Sequence, residues 1–287
     1  IDSSRALKVP GVLAVITGET LAQYKLHWMP TLMSDTQMVL PVEKVMYQAQ
    51  EVAAVIATSR YAAADGVDAV EVDYEPLPVV VDPFKALEPG APVLRTDKPD
   101  KKDNRIFHWE VGDKAGTDAA LKGSDVVVKQ RIYLPRIHVA SIETCGCVAS
   151  WDKAQGKLTV WMTTQAPHAI RTVFALVAGH VGLSEEKIRI ISPDIGGGFG
   201  GKVPVYPGYV IAVAASVVTA LPVKWIQDRK ENLQADSFAR DYHIDAELGV
   251  SADGRITALK AKTIADHGAY DAQAAPLKFH AGLFNVI

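Results

Sequence analysis

Apolar and polar positions in the first hundred residues alternate between strand-like and helix-like spacing. Two apolar runs rich in β-forming residues, GVLAVIT at 11–17 and EVAAVIA at 51–57, predict strands. Ser59 precedes a stretch with helical spacing of alanines at 60–70, and is therefore the predicted N-cap of a helix. The segment AVEVDYEPLPVVV at 69–81 alternates in its first half and predicts a third strand.

A solvated connector then interrupts this pattern. Residues 88–104, EPGAPVLRTDKPDKKDN, are rich in Pro, Lys and Asp, a composition typical of a boundary between domains. We therefore expect a first domain at residues 1–95, a connector at 96–120 and a second domain at 121–287.

Longer elements follow the connector. Helix PHAIRTVFALVAG has Pro167 at its start and Gly179 at its end, an asymmetry typical of real helices. A second helix, at 205–221, is apolar on most sides and is predicted to be buried. Strands are predicted at 124–134, 145–152, 158–165, 187–195, 223–228, 242–250 and 256–270, and turns join 145–152 to 158–165 and 242–250 to 256–270 as hairpins.

Composition narrows the class of protein. The 287 residues are 48% hydrophobic and 22% charged, which excludes intrinsic disorder and fibrous rods. Thirty basic residues against 33 acidic ones give a net charge of −3 without a basic block, so no nucleic acid partner is expected. The two cysteines, Cys145 and Cys147, cannot form a disulfide framework, which favours a reducing compartment.

The longest uncharged run and the two chain ends exclude some further readings. Proline and glycine crowd both ends of the run at 203–223, which therefore predicts a buried helix too short to span a bilayer. The chain begins without Met or a signal sequence and stops inside an apolar segment. We interpret it as a fragment of a longer chain.

The segment GGGFGGK at 196–202 is the strongest candidate for a binding loop. It matches both the dinucleotide pattern G-x-G-x-x-G and the first seven places of the P-loop. Val203 stands where a P-loop needs a hydroxyl for magnesium, and Asp228 lies later than the acidic residue of a dinucleotide fold, so both readings are disfavoured. Two interpretations stay open: a loop whose amides cradle an anion or polar cofactor, and a plain turn beside a close backbone crossing.

Six separated blocks resemble the molybdenum-binding large subunit of the molybdenum hydroxylase (xanthine oxidase) family, and in particular its aerobic carbon monoxide dehydrogenases. These blocks cover almost the whole chain, at residues 26–32, 50–89, 143–152, 164–210, 222–243 and 265–279. The resemblance implies an α+β fold. In that fold an N-terminal α/β hammerhead-like domain precedes the first part of a molybdopterin-binding domain, within a larger subunit.

The resemblance also implies a site. In the family, the glutamine at the place of Gln165 donates a hydrogen bond to the apical oxo ligand of molybdenum, and Gly197, Gly198, Phe199 and Gly200 lie beside the metal and its pterin. Without the family, Gln165 would be interpreted as a helix cap and Phe199 as a core anchor. The cofactor's dithiolene sulfurs hold the metal in the family, so no protein ligand to molybdenum is expected.

The implied activity is the oxidation of carbon monoxide with water to carbon dioxide. The implied cofactors are molybdopterin cytosine dinucleotide with molybdenum, and copper whose cysteine ligand lies beyond residue 287. The implied partners are a medium subunit with FAD and a small subunit with two 2Fe–2S clusters, in a dimer of heterotrimers in the cytoplasm, with association at the inner face of the membrane left open. By itself, the chain is expected to be inactive.

Two alternatives to this function remain. Relatives that oxidise purines or aldehydes often carry a substrate-binding glutamate where this chain has Val203, which favours a small, weakly polar substrate. The first alternative is an aldehyde or N-heterocycle hydroxylase without copper on the same scaffold. The second is a binding or assembly module without catalysis.

Three other residues are candidates for a chemical role. Cys145 and Cys147 lie two apart in a predicted strand, so they either share a metal such as copper or are small packed residues. Glu143 is interpreted as structural, because the family's catalytic glutamate lies beyond residue 287. The eight histidines show no metal-binding spacing.

Overall fold

The computed structural model describes residues 1–31 and 35–270. Within this range the chain forms two compact units. The first comprises Ile1–Leu77 and His138–Ser237 with Tyr270, and the second comprises Pro78–Ile137 and Phe238–Ala269. The last part of the predicted second domain, 271–287, lies outside the described residues, and the domain limits expected from the sequence stay a prediction.

The described elements are named in chain order. The strands are β1 Val12–Thr17, β2 Trp28–Pro30, β3 Thr36–Met38, β4 Ala53–Ala57, β5 Val126–Leu134, β6 Gly146–Asp152, β7 Lys157–Met162, β8 Ile188–Ile191, β9 Val223–Ile226, β10 Tyr242–Val250 and β11 Ile256–Ala265. The α-helices are α1 Gly18–Gln23, α2 Arg60–Asp68, α3 Lys114–Lys122, α4 Pro167–Ala178, α5 Pro207–Thr219 and α6 Arg229–Ala235.

Three of the four elements predicted before residue 82 are confirmed. Strands β1 and β4 pair antiparallel, and α2 follows β4. The Ser59 hydroxyl accepts a hydrogen bond from the Ala62 N–H at 3.2 Å, which confirms the predicted cap. Strands β2 and β3 form a short second ribbon that the sequence did not predict.

The prediction of a strand at 69–81 is wrong. Within it only Glu71 forms a bridge, to Asp2, and Ala69 is still the C-cap of α2. None of the other residues of the segment lies in a strand. Pro76 and Pro78 interrupt the segment, and proline has no N–H to donate to a sheet.

A mixed four-stranded sheet in the order β8-β7-β6-β9 supports the candidate loop. Strands β6 and β7 form the predicted antiparallel hairpin, and β7 pairs parallel with β8. Both β7 and β8 end earlier than predicted, at Met162 and Ile191, so the residues that follow them are loops. These two loops, which leave the same edge of the sheet, carry Gln165 and the glycine segment.

Helix α5 forms the centre of the first unit. All of its residues from Pro207 to Val217 are buried, as the apolar pattern predicts. Gly208 permits this packing, because a Cβ there would lie 2.3 Å from Cζ2 of Trp225 on β9. Among residues 1–31 and 35–270, no helix is long and apolar enough to cross a membrane.

The second unit is built around an antiparallel sheet in the order β11-β10-β5. The predicted hairpin of β10 and β11 is confirmed, with pairing from Tyr242–Ala265 to Val250–Ile256. Strand β5 pairs with β10 along its whole length, although more than a hundred residues separate the two strands in sequence. The described residues combine α-helices with antiparallel sheets and a mixed sheet, which confirms the α+β class.

Candidate functional site

The glycine segment forms a tight loop after β8. The Gly201 N–H donates to the Gly198 carbonyl at 2.8 Å, and φ is positive at Gly197 (+92°), Phe199 (+50°) and Gly200 (+91°). A positive φ is uncommon for a residue with a Cβ, and such positions cluster at functional sites. The Phe199 side chain is 76% exposed, so the core-anchor interpretation is wrong.

Gln165 is held against this loop by its side-chain oxygen. Oε1 accepts hydrogen bonds from the N–H groups of Gly200 and Lys202, both at 3.1 Å, and the Gln165 N–H donates to the Lys202 carbonyl at 3.0 Å. Because backbone N–H groups only donate, Oε1 faces the loop. The Nε2 group forms no hydrogen bond with any residue in 1–31 or 35–270, so two neutral donors are available.

The helix that follows Gln165 does not use it as a cap. The N-cap of α4 is Ala166, which makes no side-chain capping bond, and Pro167 occupies the first turn. A prolyl residue at this place removes one of the N–H groups that a cap would satisfy. The Gln165 side chain therefore does not cap α4, and the interpretation of Gln165 as a helix cap is wrong.

At two glycines of the loop, an added Cβ would force a neighbouring side chain to shift. A Cβ on Gly198 would lie 2.4 Å from Cδ of Gln165, and a Cβ on Gly197 would lie 2.9 Å from Cε2 of Phe199. In the part of the chain that the structure describes, the N–H groups of Gly198 and Phe199 donate to no acceptor. Successive free amides beside a glutamine with free donors form a surface suited to a polar group.

An ion pair between a buried lysine and a partly exposed glutamate lies under the loop. Lys202 is 2% exposed, and its Nζ is 2.7 Å from Oε2 of Glu143. The same oxygen accepts the Gly196 N–H at 2.7 Å, and the Glu143 N–H donates to the Gly196 carbonyl at 3.1 Å. Burial acts to raise the pKa of Glu143, but the hydrogen bonds from Lys202 and Gly196 and the lysine charge outweigh it and hold that pKa below its usual range.

Arg229 fixes the segment that carries Glu143. Its Nη2 donates to the carbonyls of Ser141 at 2.6 Å and Ile142 at 2.7 Å. Arg229 opens α6, whose capping box is formed by Asp228 and Glu231. The start of α6, the Glu143 segment and the glycine loop are thus linked through charged hydrogen bonds.

Both cysteines are packed thiols. Cys145 and Cys147 are buried and free, and burial raises the pKa of each to about 12, so they are protonated at neutral pH. Both side chains belong to the buried apolar core, which favours the packed interpretation over copper binding. No group of three or more His, Cys, Asp or Glu side chains within the described ranges could hold a metal ion.

The structure brings together all five residues that the resemblance singled out, namely Gln165, Gly197, Gly198, Phe199 and Gly200. Neither the Lys202 side chain nor Arg229 was among the predicted site residues. Glu143, interpreted as structural, contacts Lys202 and Gly196 of the loop.

Two family models match the chain. Residues 97–287 match the family described as the molybdopterin cofactor-binding domain. Residues 1–78 match the a/b hammerhead domain of aldehyde oxidase and xanthine dehydrogenase.

Individual relatives agree with these matches. The chain is 54% identical to the carbon monoxide dehydrogenase large chain of Hydrogenophaga pseudoflava, over 100% of this chain and 36% of that protein. It is 35% identical to the nicotine 6-hydroxylase large subunit of Paenarthrobacter nicotinovorans, over 94% of this chain and 33% of that protein. The crystal structure of a Cu,Mo-CO dehydrogenase superposes with a TM-score of 0.93 at 54% identity, over 99% of this chain and 37% of that chain.

The chain therefore spans about a third of the length of the relatives that it matches. The matches confirm the resemblance and the expected order of a hammerhead domain followed by molybdopterin-binding residues. The chain belongs to the molybdopterin cofactor-binding domain family and carries the a/b hammerhead domain of the aldehyde oxidases and xanthine dehydrogenases.

Proposed function

We propose that the chain is part of the molybdenum-bearing large subunit of an aerobic carbon monoxide dehydrogenase. The proposed reaction takes carbon monoxide and water to carbon dioxide, two protons and two electrons. The 54% identity to a carbon monoxide dehydrogenase large chain over the whole of this chain supports that substrate. The observation that carries the cofactor assignment is the Gln165 amide, fixed through Oε1 by two backbone N–H groups.

The proposed role of Gln165 is to donate from Nε2 to the oxo ligand of molybdenum. A side-chain amide suits this role because its NH₂ is neutral and does not titrate. The residues present fit a bound cofactor in two ways. The N–H groups of Gly198 and Phe199 have no acceptor among the described residues, and the absence of a Cβ at Gly198 lets the loop and Gln165 approach closely.

The other residues of the site would bind and shield the cofactor. We assign contact with it to the backbone of Gly197, Gly198 and Gly200, and closure of one wall to the exposed Phe199 ring. When bound, molybdopterin cytosine dinucleotide supplies the redox chemistry and holds molybdenum through its own sulfurs. The protein's contribution is orientation and exclusion of water.

The proposed assembly follows from the family. Copper would be held by a cysteine outside residues 1–287, and electrons would leave through a small subunit with two 2Fe–2S clusters to a medium subunit with FAD. A dimer of heterotrimers and a cytoplasmic location, with or without attachment to the inner membrane face, are part of the same proposal. Val203 supports a small, weakly polar substrate, because its side chain offers shape but no hydrogen bond.

A second candidate is a hydroxylase of N-heterocycles or aldehydes without copper. The chain is 35% identical to a nicotine 6-hydroxylase large subunit over 94% of its length. This similarity supports the second candidate. The third, a module without catalysis, applies only to the chain in isolation.

Substrate and metal content of the complete enzyme separate these candidates. We expect the full-length subunit, assembled with its partners, to reduce a dye with carbon monoxide and to contain both molybdenum and copper. Oxidation of nicotine, quinoline or an aldehyde by a copper-free enzyme that leaves carbon monoxide unchanged supports the second candidate. Turnover by residues 1–287 alone would contradict the expectation that essential parts lie elsewhere.

The role of Gln165 has its own test. In the assembled enzyme we expect Gln165→Ala to lower kcat by about a hundredfold, as for loss of one preorganised donor, and to alter the molybdenum spectrum. Gln155→Ala, in the exposed turn between β6 and β7, is the matched control and should change neither. Undiminished turnover and an unchanged spectrum in Gln165→Ala would remove Gln165 from the metal's surroundings.

A further inference from the structure

Lys202 is a buried charged side chain that lines a small cavity together with Ser141, Glu143, Asn232 and Asp236. Its residue is 2% exposed, and the residues that follow it lead directly into the buried helix α5. Burying an ammonium is costly unless a charge and hydrogen bonds compensate for it. Glu143 supplies that compensation at 2.7 Å, and it comes from a segment 59 residues earlier in the sequence.

The backbone of the same lysine holds Gln165. Its N–H donates to Oε1 of Gln165, and its carbonyl accepts the Gln165 N–H, at 3.1 Å and 3.0 Å. Gly200, two residues earlier, supplies the second hydrogen bond to Oε1. Any displacement of the Lys202 backbone therefore changes the orientation of the Gln165 amide directly.

The Glu143 carboxylate is anchored from its own side. Its Oε2 accepts the Gly196 N–H, so one oxygen contacts both ends of the glycine loop. The carbonyls of Ser141 and Ile142, just before Glu143, accept hydrogen bonds from Arg229. The ion pair thus connects the loop to a segment that is itself fixed to the start of α6.

We propose that Lys202 is a positioning residue, whose ion pair with Glu143 fixes the glycine loop so that Gln165 keeps Oε1 on the loop and presents Nε2 outward. The consequence for turnover rests on the function proposed for Gln165; the geometric claim does not. Lys202 contacts neither substrate nor cofactor in this proposal, and it acts through Gln165.

Lys202→Met is the most informative variant. Methionine keeps an unbranched side chain of similar length without the charge, and the remaining Glu143 side chain is 39% exposed and thus partly hydrated. Glu143→Gln alone would instead leave a buried ammonium without its counter-charge. The matched control is Lys224→Met on β9, where the lysine is exposed.

The first measurement is a crystal structure of the full-length assembled enzyme carrying Lys202→Met. We expect Gln165 Oε1 to lose at least one of its two hydrogen bonds, with a separation beyond 3.5 Å, while Lys224→Met retains both. Retention of both in Lys202→Met would overturn the proposal. Should Lys202→Met not accumulate, the same measurement is made on the double variant Lys202→Met/Glu143→Gln, which leaves no unpaired charge, and the same two outcomes decide.

The second measurement is a double-mutant cycle on kcat. We expect Lys202→Met to lower kcat about tenfold and to alter the molybdenum spectrum, with KM changed less than about twofold. In the Gln165→Ala background the same substitution should lower kcat by less than about twofold, because the residue through which it acts is gone. An equal tenfold loss in both backgrounds would overturn the proposal.

The two measurements separate failure of this proposal from failure of the proposed function. If Gln165→Ala itself leaves turnover and spectrum unchanged, the function assigned to Gln165 is wrong, and the crystal structure alone decides the role of Lys202. If the amide keeps its orientation in Lys202→Met while Gln165→Ala is impaired, the proposed function stands and Lys202 is not a positioning residue.

Discussion

At the scale of single residues, the buried carboxyl group of Glu51 is incompletely hydrogen-bonded. Its Oε2 is buried and has no hydrogen-bond partner among the described residues. Burial, together with the nearby carboxylates of Glu231 and Asp236, raises the pKa of Glu51 to about 7. The group is therefore neutral in the folded protein at pH values where the unfolded chain ionises it.

The pH dependence of stability follows from this shift. Because the folded pKa is raised above the unfolded value of 4.5, the contribution of Glu51 is fully present below pH 4.5 and declines as pH rises to about 7. Glu51→Gln should remove that decline. The change that it causes in the free energy of unfolding should therefore be more stabilising at pH 8 than at pH 4.5, by about 1–3 kcal/mol. Urea denaturation at the two pH values measures this, and an equal effect at both would contradict it.

Gly198 tests whether close approach to Gln165 matters. A Cβ there would collide with Gln165, whereas Gly179, with φ of −59°, has nothing within 4 Å of the place of a Cβ. We expect Gly198→Ala to lower turnover of the assembled enzyme by about tenfold or more, because it displaces the amide. Gly179→Ala should leave turnover unchanged. Equal activity of the two variants would show that the contact is not needed.

The same residues show what sequence could predict of the site. The density of glycines marked the loop, and the family blocks singled out Gln165 and Phe199. The pairing of Lys202 with Glu143 has no such signal, since 59 residues separate them and no helix or strand spacing relates them. The strained φ of Phe199 is likewise a property of the folded loop.

At the scale of elements, prediction succeeded where the spacing of apolar residues and the residues that mark the ends of an element agreed. Helix α5 and the β6–β7 hairpin have both. The segment 69–81 had strand-like alternation, but its prolines removed the donors a sheet requires. Helix α6 went unpredicted although its capping box, Asp228 with Glu231, is a recognised start signal, because Asp228 was interpreted only as the end of a strand.

Gly208 in α5 tests the packing of that helix on β9. Replacing an interior glycine by alanine in an exposed helix stabilises it by up to about 1 kcal/mol. Here the added Cβ would lie 2.3 Å from the Trp225 ring, so we expect Gly208→Ala to lower the free energy of unfolding by about 1–3 kcal/mol. Chemical denaturation measures the effect. Trp225→Phe in the same chain should reduce the loss, and a stabilised Gly208→Ala protein would contradict the packing.

At the scale of the whole molecule, the first unit has one apolar core drawn from distant parts of the sequence. Ile16, Leu21 and Met29 of the hammerhead residues belong to the same cluster as Ile170 and Phe174 of α4. Composition marked the connector at 88–104, but nothing in a single sequence relates surfaces more than a hundred residues apart. The shared core was therefore not predictable from the pattern.

The shared core predicts that the chain stays associated when it is cut. We expect cleavage at a protease site inserted after the exposed Lys102 to yield two pieces that elute together in size-exclusion chromatography without denaturant. Burial of apolar side chains from both pieces in one cluster is the physical reason. Separate elution of two folded pieces would contradict a common core.

The assignment of the cofactor to the glycine loop is tested most directly by a crystal structure of the full-length subunit in its assembled, cofactor-loaded enzyme. The distance to measure joins Nε2 of Gln165 to the nearest oxygen ligand of molybdenum. We predict a hydrogen bond of about 3 Å, with Oε1 still on the N–H groups of Gly200 and Lys202. A separation beyond about 4 Å, with the loop facing solvent, would contradict the assignment.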